Sequence, residues 1–354
     1  MVPLSWPLQA PAPQDMRWLR VEDASAVAAC RKAAQIMAER LGFPAARTGQ
    51  LALAVTEAAS NLHKHAEQGS LLLCVNRDGE PPGLDLVTID AGPGVRDVSA
   101  AVRDGHSTAG TLGIGLGAIA RLADFTDLYS RAGHGTSLVA RFRVLAGGTT
   151  PPDPPALGGA ARPPKPPWGA GLLRPITGET ECGDAYAAVQ ADGGVTAVLC
   201  DGLGHGPLAA AAAAEGVAAV LEAPAGEPAA LLERVHRRMS GTRGGAVGIV
   251  RIQGRLARFA GLGNVAASIV SGGQRKSMLC IPGIAGHQAR SIRQFEYEAP
   301  PGSAVVLHSD GISNRWEAAA LPGIEARDPL LIAAVLLAAA GVHRDDAGIL
   351  VLKP

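Results

Sequence analysis

The sequence predicts an α+β protein built from two domains. Its 354 residues are about twice the ~150 residues of a typical domain. A Pro- and Gly-rich segment at 147–170 interrupts the chain near its middle, without apolar periodicity. On both sides of it, helical patterns alternate with short apolar runs typical of strands. We therefore predict an N-terminal tail at 1–17, domains at 18–146 and 171–354, and a linker at 147–170.

Composition excludes several classes of protein. The chain has 32 Lys and Arg against 32 Asp and Glu, so its net charge gives no general affinity for nucleic acid or a membrane surface. The first residues contain prolines and no basic cluster, unlike a signal peptide. The longest apolar run, at 330–340, is shorter than the roughly 20 residues that span a bilayer. Five cysteines without a CxxC pair indicate neither a disulfide framework nor a zinc site. We expect a cytoplasmic protein.

The first half predicts helices packed on one face of a mixed sheet. Asp23 or Ser25 can cap a helix that Gly42 and Pro44 end, and a second helix runs from about Thr48 to Ala66. The remaining segments are strand-like runs at 71–75, 84–89, 127–130 and 136–144, and a short helix at 116–123.

The second half is richer in strands. Two packed sheets flanked by helices would bury these apolar runs. The strand-like segments are 185–190, 195–200, 246–252, 265–270 and 303–308, and the helical ones are 207–222, 228–239 and 329–340.

A candidate nucleotide site lies in the first half. Glu57, Asn61 and His65 are four residues apart and so share one side of a helix, although a solvated polar stripe has the same spacing. The sequence DAGPG at 90–94 follows a strand, and GTLGIGLG at 110–117 opens a helix. Glycines before a helix let backbone N–H groups approach phosphate oxygens. A strand-end carboxylate can accept a hydrogen bond from a base, and an Asn oxygen suits Mg²⁺. Each feature fits one part of ATP.

Residues 18–144 resemble the ATP-binding domain shared by histidine kinases, gyrase and the Hsp90 chaperone, in its short anti-sigma-factor kinase form. TEAASNLHKHA resembles the N box, DAGPG and GTLGIGLGA the two Gly boxes, and GHGTSL the closing Gly-Thr. The resemblance implies a Bergerat-type α/β sandwich, an ATP lid at 95–109 and an RsbT-like Ser/Thr kinase. It also implies a general base, Glu57; a Mg²⁺ ligand, Asn61; an adenine contact, Asp90; and cofactor-binding residues Gly92, Gly94, Gly113, Gly115, Gly117 and Thr136.

A second constellation consists of aspartates in the other half: Asp184, Asp201, Asp310, and the pair Asp345 and Asp346. Single acidic residues at strand ends are common on solvated edges. However, Asp201 and Asp310 each follow an apolar strand and precede Gly, a turn that presents the carboxylate. If such groups converge, each pair at about 4 Å repels by about 4 kcal/mol at an effective dielectric near 20, so cations are needed. Oxygen ligands indicate Mg²⁺ or Mn²⁺, and two such ions can activate a water to hydrolyse a phosphoester.

Residues 170–353 resemble the SpoIIE-type branch of the metal-dependent Ser/Thr phosphatases related to protein phosphatase 2C. DGLGHG resembles the RsbX-like members in particular, and GLGNV at 261–265 also matches. The resemblance implies an α-β-β-α fold and five metal-binding groups: Asp184, the catalytic Asp201, the Gly202 carbonyl, Asp310 and Asp345.

One position departs from that family, which commonly has Thr where this chain has Gly348. We expect the departure to change the hydrogen bonding that orients Asp345 and to weaken metal affinity. Cys182 and Cys200 flank two proposed ligands and are expected to be small packing residues rather than redox sensors. His205 and His308 are expected to be local hydrogen-bond partners, because hard ions prefer oxygen.

The sequence thus predicts a bifunctional partner-switching regulator that combines an ATP-dependent Ser/Thr kinase with a Mg²⁺- or Mn²⁺-dependent phosphatase. By resemblance, its substrate is a STAS-domain antagonist in an anti-sigma circuit, with a sigma factor or a downstream phosphatase as a further partner. Two alternatives stay open. The first half can be an ATP-binding module that sequesters a sigma factor or another partner, with only the phosphatase active. The second half can be a non-catalytic scaffold.

Overall fold

The computed structural model describes residues 8–77, 82–95, 115–144 and 168–354. It divides the chain into two compact units. The N-terminal unit is continuous, Pro11–Pro166, whereas the C-terminal unit combines Met1–Ala10 with Pro167–Pro354. Residues 147–167 of the predicted linker lie outside the described residues, and its last three residues, 168–170, are described.

The first strand, β1 (Leu8–Gln9), belongs to the C-terminal unit. The N-terminal unit contains, in chain order, β2 (Met16–Arg20), α1 (Ala24–Arg40), α2 (Ala45–His65), β3 (Ser70–Asn76), β4 (Gly83–Ile89), α3 (Gly115–Leu122), β5 (Phe125–Ser130) and β6 (Thr136–Arg143). Asp23 caps α1 as predicted, because its Oδ1 accepts hydrogen bonds from the backbone N–H groups of Ser25 and Ala26.

The sheet of this unit has the order β2-β3-β4-β6-β5. All its described pairs are antiparallel, so the expectation of a mixed sheet is wrong. The helices cover one face of the sheet because α1 and α2 each bury an apolar stripe against β3, β4 and β6. Fully buried residues of this core include Leu51, Val55, Leu71, Leu73, Leu84, Leu86 and Phe142.

The expected N-terminal tail at 1–17 also needs correction. Leu8 and Gln9 pair antiparallel with Ala188 and Ala187, and the N–H of Ala10 donates to the carbonyl of Tyr186 at 2.9 Å. Met16 begins β2. A two-residue strand has too little side-chain alternation to be detected from sequence, because its pairing depends on backbone hydrogen bonds at a sheet edge.

The C-terminal unit continues after β1 with two groups of elements. Its strands are β7 (Gly169–Arg174), β8 (Asp184–Ala191), β9 (Gly194–Gly202), β10 (Gly245–Gln253), β11 (Leu256–Leu262), β12 (Ala266–Ser271), β13 (Gln274–Met278), β14 (Phe295–Glu298), β15 (Ala304–His308) and β16 (Ala347–Leu352). Its helices are α4 (Pro207–Leu221), α5 (Pro228–Arg238) and α6 (Pro329–Ala340).

These strands form two sheets, with orders β1-β8-β9-β10-β11-β14 and β13-β12-β15-β16-β7. The sheets pack face to face: a Cβ on Gly171 of β7 would lie 2.3 Å from the ring of Tyr186 in β8, so only glycine fits there. Helices α4 and α5 cover the first sheet, and α6 covers the second. The arrangement is the predicted α-β-β-α fold. Among the helices in the described ranges, none has the length and apolar character needed to cross a membrane.

Candidate nucleotide site and metal centre

Helix α2 carries the first group of predicted site residues. Its buried face points into the core, and Glu57 and Asn61 lie half-buried on another side of the helix, while His65 is exposed. A Cβ added to Gly115 would lie 2.9 Å from Nδ2 of Asn61. The beginning of α3 therefore lies directly against Asn61, which brings the N box and the second Gly box together.

Asp90 follows β4 and is held by the backbone of two predicted site residues. Its Oδ1 accepts hydrogen bonds from the N–H of Gly92 at 2.8 Å and of Thr136 at 3.2 Å. Its own N–H donates to the Thr136 carbonyl at 3.1 Å. Burial raises the pKa of the Asp90 carboxyl, and these two hydrogen bonds oppose the rise. Both bonds end on Oδ1, so Oδ2 takes part in neither.

The turns around Asp90 leave no room for side chains. Gly94 has φ +69°, and a Cβ there would lie 2.1 Å from the Arg131 carbonyl oxygen. Gly135 has φ +82°, and its Cβ would lie 1.9 Å from the Asp90 carbonyl oxygen. Glycine is required at both positions by conformation and by space. Gly117 is buried in α3, whereas Gly113 and the expected lid beyond Val95 lie outside the described residues.

Ser130 is a member of this site that the sequence does not reveal. Its Oγ accepts the N–H of Val95 at 2.7 Å and bonds to Oγ1 of Thr136 at 2.9 Å, so it ties the first Gly box to the closing Gly-Thr. The serine ends an ordinary strand and carries no motif. These residues fit a nucleotide for two reasons. The Asp90 carboxylate can accept a hydrogen bond from a base, and the glycines beside it carry no side chain that would keep a ligand away from the backbone.

The aspartates of the C-terminal unit lie on strands from both sheets. Asp184 begins β8 and faces Asp201 of β9 across the antiparallel pair. Asp310 follows β15, and Asp345 precedes the neighbouring strand β16. Gly202 is the last residue of β9. A Cβ on Gly202 would lie 2.1 Å from the carbonyl oxygen of Ala209 in the first turn of α4.

The four carboxylates perturb one another. Burial, followed by the charges of Asp310 and Asp345, raises the pKa of Asp201 to about 7. Burial and then the charge of Asp201 raise the pKa of the buried Asp184 well above its usual range. Burial and the charge of Asp345 raise the pKa of Asp310 as well. Burial and like charge therefore both disfavour ionisation of Asp184, Asp201 and Asp310.

These side chains are close enough to repel but are not gathered into a coordination sphere. Within the described ranges, no three His, Cys, Asp or Glu side chains stand in a position that could hold a metal ion. The chemistry of the donor set nevertheless fits Mg²⁺ or Mn²⁺, because four carboxylate groups supply hard oxygens and crowded negative charge. Asp184, Asp201, the Gly202 carbonyl, Asp310 and Asp345 are the groups that would hold such ions.

Two polar residues that sequence reasoning missed bond directly to these carboxylates. Asn264 donates from Nδ2 to Oδ2 of Asp310 at 2.5 Å, and the buried Ser309 donates from Oγ to Oδ2 of Asp184 at 2.6 Å. Asn264 belongs to the GLGNV segment, so that motif could have indicated it. For Ser309 the sequence offers only its position next to Asp310.

Asp346, the second member of the acidic pair, has a different role from Asp345. It is buried and accepts the backbone N–H groups of Ile176 at 2.7 Å and Gly183 at 2.9 Å. It thereby fixes the segment that leads into Asp184.

Gly348 lies against a different aspartate from the one expected. A Cβ there would lie 2.9 Å from Cβ of Asp184 and 3.0 Å from its Oδ2. The expected effects on Asp345 and on metal affinity stay predictions.

The two cysteines and two histidines near the aspartates pack or make local hydrogen bonds. Cys182 and Cys200 are buried, and burial raises the pKa of both thiols, which disfavours the reactive thiolate. His205 bonds through Nδ1 to Oε1 of Glu179 at 3.1 Å. His308 accepts the indole N–H of Trp316 at Nε2, so its Nδ1 carries the proton and donates to the Ser309 carbonyl at 2.9 Å.

Comparison with known proteins identifies both units. The histidine kinase-like ATPase domain model matches residues 20–142, and the stage II sporulation protein E (SpoIIE) model matches residues 191–353. Serine/threonine-protein kinase RsbT of Bacillus subtilis (strain 168) is 32% identical over 126 residues, which cover 36% of this chain and 95% of RsbT.

Solved phosphatase structures also match the chain. RsbX in complex with magnesium is 22% identical, with 52% of this chain and 94% of RsbX covered and a TM-score of 0.45. The Mycobacterium tuberculosis serine/threonine phosphatase PstP/Ppp is 16% identical, with 52% and 98% covered and a TM-score of 0.41.

The two units therefore have separate assignments. The N-terminal unit matches the histidine kinase-like ATPase domain, and residues 191–353 of the C-terminal unit match the SpoIIE model. The same polypeptide therefore joins a kinase-like unit to a SpoIIE-like unit. Through its N-terminal unit the chain belongs to the family of serine/threonine-protein kinase RsbT.

Proposed function

We propose that this protein phosphorylates and dephosphorylates one target, a STAS-domain antagonist of an anti-sigma circuit. The observation that carries the proposal is that one polypeptide contains both an RsbT-like unit and a match to the SpoIIE model. Joining them raises the effective concentration of both activities for a shared target. The STAS class comes from the resemblance to partner-switching kinases and phosphatases, and a sigma factor or a downstream phosphatase is the further partner.

In the N-terminal unit, Mg²⁺-bound ATP supplies the phosphoryl group. Asn61 would hold the ion, Oδ2 of Asp90 would accept a hydrogen bond from the exocyclic amine of adenine, and Thr136 would complete the pocket. The backbone of Gly92, Gly94, Gly115 and Gly117, together with Gly113 outside the described residues, would bind the phosphates. Glu57, one helical turn before Asn61, orients the substrate hydroxyl and accepts its proton as the oxygen attacks the γ-phosphorus and ADP leaves.

In the C-terminal unit, Asp201 would be the central metal ligand, because it faces Asp184 across the strand pair and is perturbed by both Asp310 and Asp345. Asp184, the Gly202 carbonyl, Asp310 and Asp345 would complete the set of protein ligands. Mg²⁺ or Mn²⁺ held there would supply an activated water for phosphoester hydrolysis.

The kinase assignment is tested by phosphate transfer from ATP to a purified STAS-domain protein. Glu57→Ala should abolish transfer while leaving ATP binding, and Glu39→Ala, an exposed glutamate on α1, should transfer like the parent. Transfer by Glu57→Ala at the parental rate contradicts the assignment. Stoichiometric capture of a sigma factor without phosphate turnover would instead identify a sequestering module.

The phosphatase assignment is tested by Mn²⁺-dependent hydrolysis of a phosphoserine protein. Asp201→Asn should abolish hydrolysis. Asp192→Asn is the matched control, because Asp192 lies in the β8–β9 turn with φ +46°, a conformation that Asn tolerates. Hydrolysis that survives Asp201→Asn, or that never occurs in the parent, contradicts the proposal and favours a scaffold.

A further inference from the structure

Ser309 lies at the junction of the two sheets, with 0% of its surface exposed. It makes three hydrogen bonds that connect Asp184 to β16. Its Oγ donates to Oδ2 of Asp184 at 2.6 Å and accepts the N–H of Gly348 at 2.9 Å. Its own N–H donates to the Gly348 carbonyl at 3.0 Å.

These bonds fix the direction of the hydroxyl proton. A serine hydroxyl has one proton to donate and lone pairs to accept. The Gly348 N–H donates to Oγ, and the hydroxyl proton points to Oδ2 of Asp184. The two bonds together restrict Ser309 to one rotamer and hold the carboxyl group of Asp184 in one orientation.

Gly348 is the other half of the arrangement. The hydroxyl of a Thr at this position would need a Cβ, and a Cβ there would lie 2.9 Å from Cβ of Asp184. Such a contact is closer than real Cβ atoms adopt, so β8 and β16 approach too closely for any side chain. The hydroxyl at this point of the sandwich comes from Ser309 instead, and the backbone of Gly348 orients it.

We propose that Ser309 is the positioning residue for Asp184: with the Gly348 N–H, it holds the Asp184 carboxyl group in one orientation, in place to bind a divalent cation. The inference rests on the proposed function in one respect, the assignment of Asp184 as a metal ligand. It adds that metal affinity in this chain depends on a buried hydroxyl from the neighbouring sheet.

The test is calorimetric titration of the full-length, nucleotide-free protein with Mn²⁺. Loss of a hydrogen bond that orients a metal ligand weakens metal affinity by about 10- to 100-fold, which is the result expected for Ser309→Ala. Ser303→Ala is the matched control. Ser303 lies at the opposite end of β15, is also 0% exposed, and its Oγ has no hydrogen-bond partner within the described residues. It should bind Mn²⁺ like the parent.

A double-mutant cycle separates positioning from general structure. In an Asp184→Ala background, Ser309→Ala should cause no further loss of Mn²⁺ affinity, because the hydroxyl then has no ligand to hold. Equal losses in both backgrounds, parental affinity in Ser309→Ala, or unfolding of Ser309→Ala where Ser303→Ala stays folded would each overturn the inference. A parent protein that binds no Mn²⁺ overturns the metal assignment itself, which is a distinguishable result.

Discussion

The two units differ in the surroundings of the carboxylates at and around their candidate sites. In the N-terminal unit, buried or half-buried carboxylates meet cations or backbone N–H groups: Asp124 pairs with Arg47, Asp15 with Arg40 and Arg77, and Asp90 with two N–H groups. In the C-terminal unit, Asp184, Asp201 and Asp310 lie among like charges that raise their pKa values.

This difference indicates two kinds of recognition. The candidate nucleotide site is defined by backbone shape, since the glycines at its turns leave no space for a Cβ. Its carboxylate, Asp90, already accepts hydrogen bonds from two backbone N–H groups. The metal centre is defined by charge, and a cation would relieve its repulsion. We therefore expect the first site to be sensitive to volume and the second to protons and metal ions.

The largest effect on stability is expected when a carboxylate of the N-terminal unit loses its cationic partner. Arg47 is buried, and its guanidinium bonds to Asp124 at 2.5 Å, to Gln50 and to the Leu122 carbonyl at the end of α3. Breaking a buried pair by removing one partner costs about 3–5 kcal/mol, so Arg47→Ala should lower the free energy of unfolding of this unit by that amount in a urea titration. Arg20→Ala, which removes an exposed pair with Glu22, should cost less than about 1 kcal/mol. Similar losses in the two variants would contradict the comparison.

A somewhat smaller effect is expected from pH in the C-terminal unit. The folded pKa of Asp201 is about 7, against an ordinary value of 3.8, so the folded state binds this proton more tightly. In EDTA, stability from this group is therefore complete below about pH 4 and falls as pH rises to 7, by up to about 4 kcal/mol. Urea unfolding across that range checks the slope.

Two variants of that experiment sharpen its meaning. Asp201→Asn should reduce the pH dependence and leave the part that comes from Asp184 and Asp310, whose pKa values are also raised by burial. Saturating Mn²⁺ should reverse the pH dependence by binding the ionised carboxylates of the folded state. A parent protein whose C-terminal unit gains stability between pH 4 and 7 in EDTA would show that its carboxylates are compensated, as in the N-terminal unit.

The sequence predicted most of this organisation, and its failures have physical causes. Asp90 and the four aspartates were visible because they lie at the ends of apolar strands, and Asn61 was visible because it shares one side of a helix with Glu57. Ser130 and Ser309 were not, because a hydroxyl that bonds to a residue distant in the chain has no local signature. The strand at Leu8 and Gln9 was missed because backbone pairing alone forms it. The contact between Gly348 and Asp184 was not predicted because sequence adjacency does not reveal which residue faces another across the sandwich.

Volume sensitivity at the nucleotide site is tested by two glycines in one turn. Gly133 and Gly135 both have positive φ, +76° and +82°, so an alanine at either position costs about 1 kcal/mol in strain. A Cβ at Gly133 meets nothing within 4 Å, whereas a Cβ at Gly135 would lie 1.9 Å from the Asp90 carbonyl oxygen. Gly135→Ala should therefore displace Asp90 and weaken ATP binding by about tenfold, the value of one hydrogen bond of about 1.4 kcal/mol. Gly133→Ala should bind ATP normally, and equal affinity in both variants would exclude this steric account.

The smallest effect separates two Asn–Asp pairs that look alike. Asn264 donates to Asp310 at 2.5 Å in the C-terminal unit, and Asn76 donates to Asp85 at 3.0 Å in the N-terminal unit. Because Asn264 is exposed, water can replace part of its bond, and Asn264→Ala should weaken Mn²⁺ binding by about tenfold or less, toward the lower end for residues that orient metal ligands. Asn76→Ala should leave Mn²⁺ affinity unchanged, since Asp85 lies in the sheet of the other unit, between β3 and β6. Parental affinity in Asn264→Ala would mean that Asp310 needs no protein partner to bind the ion, so that charge alone organises this half of the metal centre.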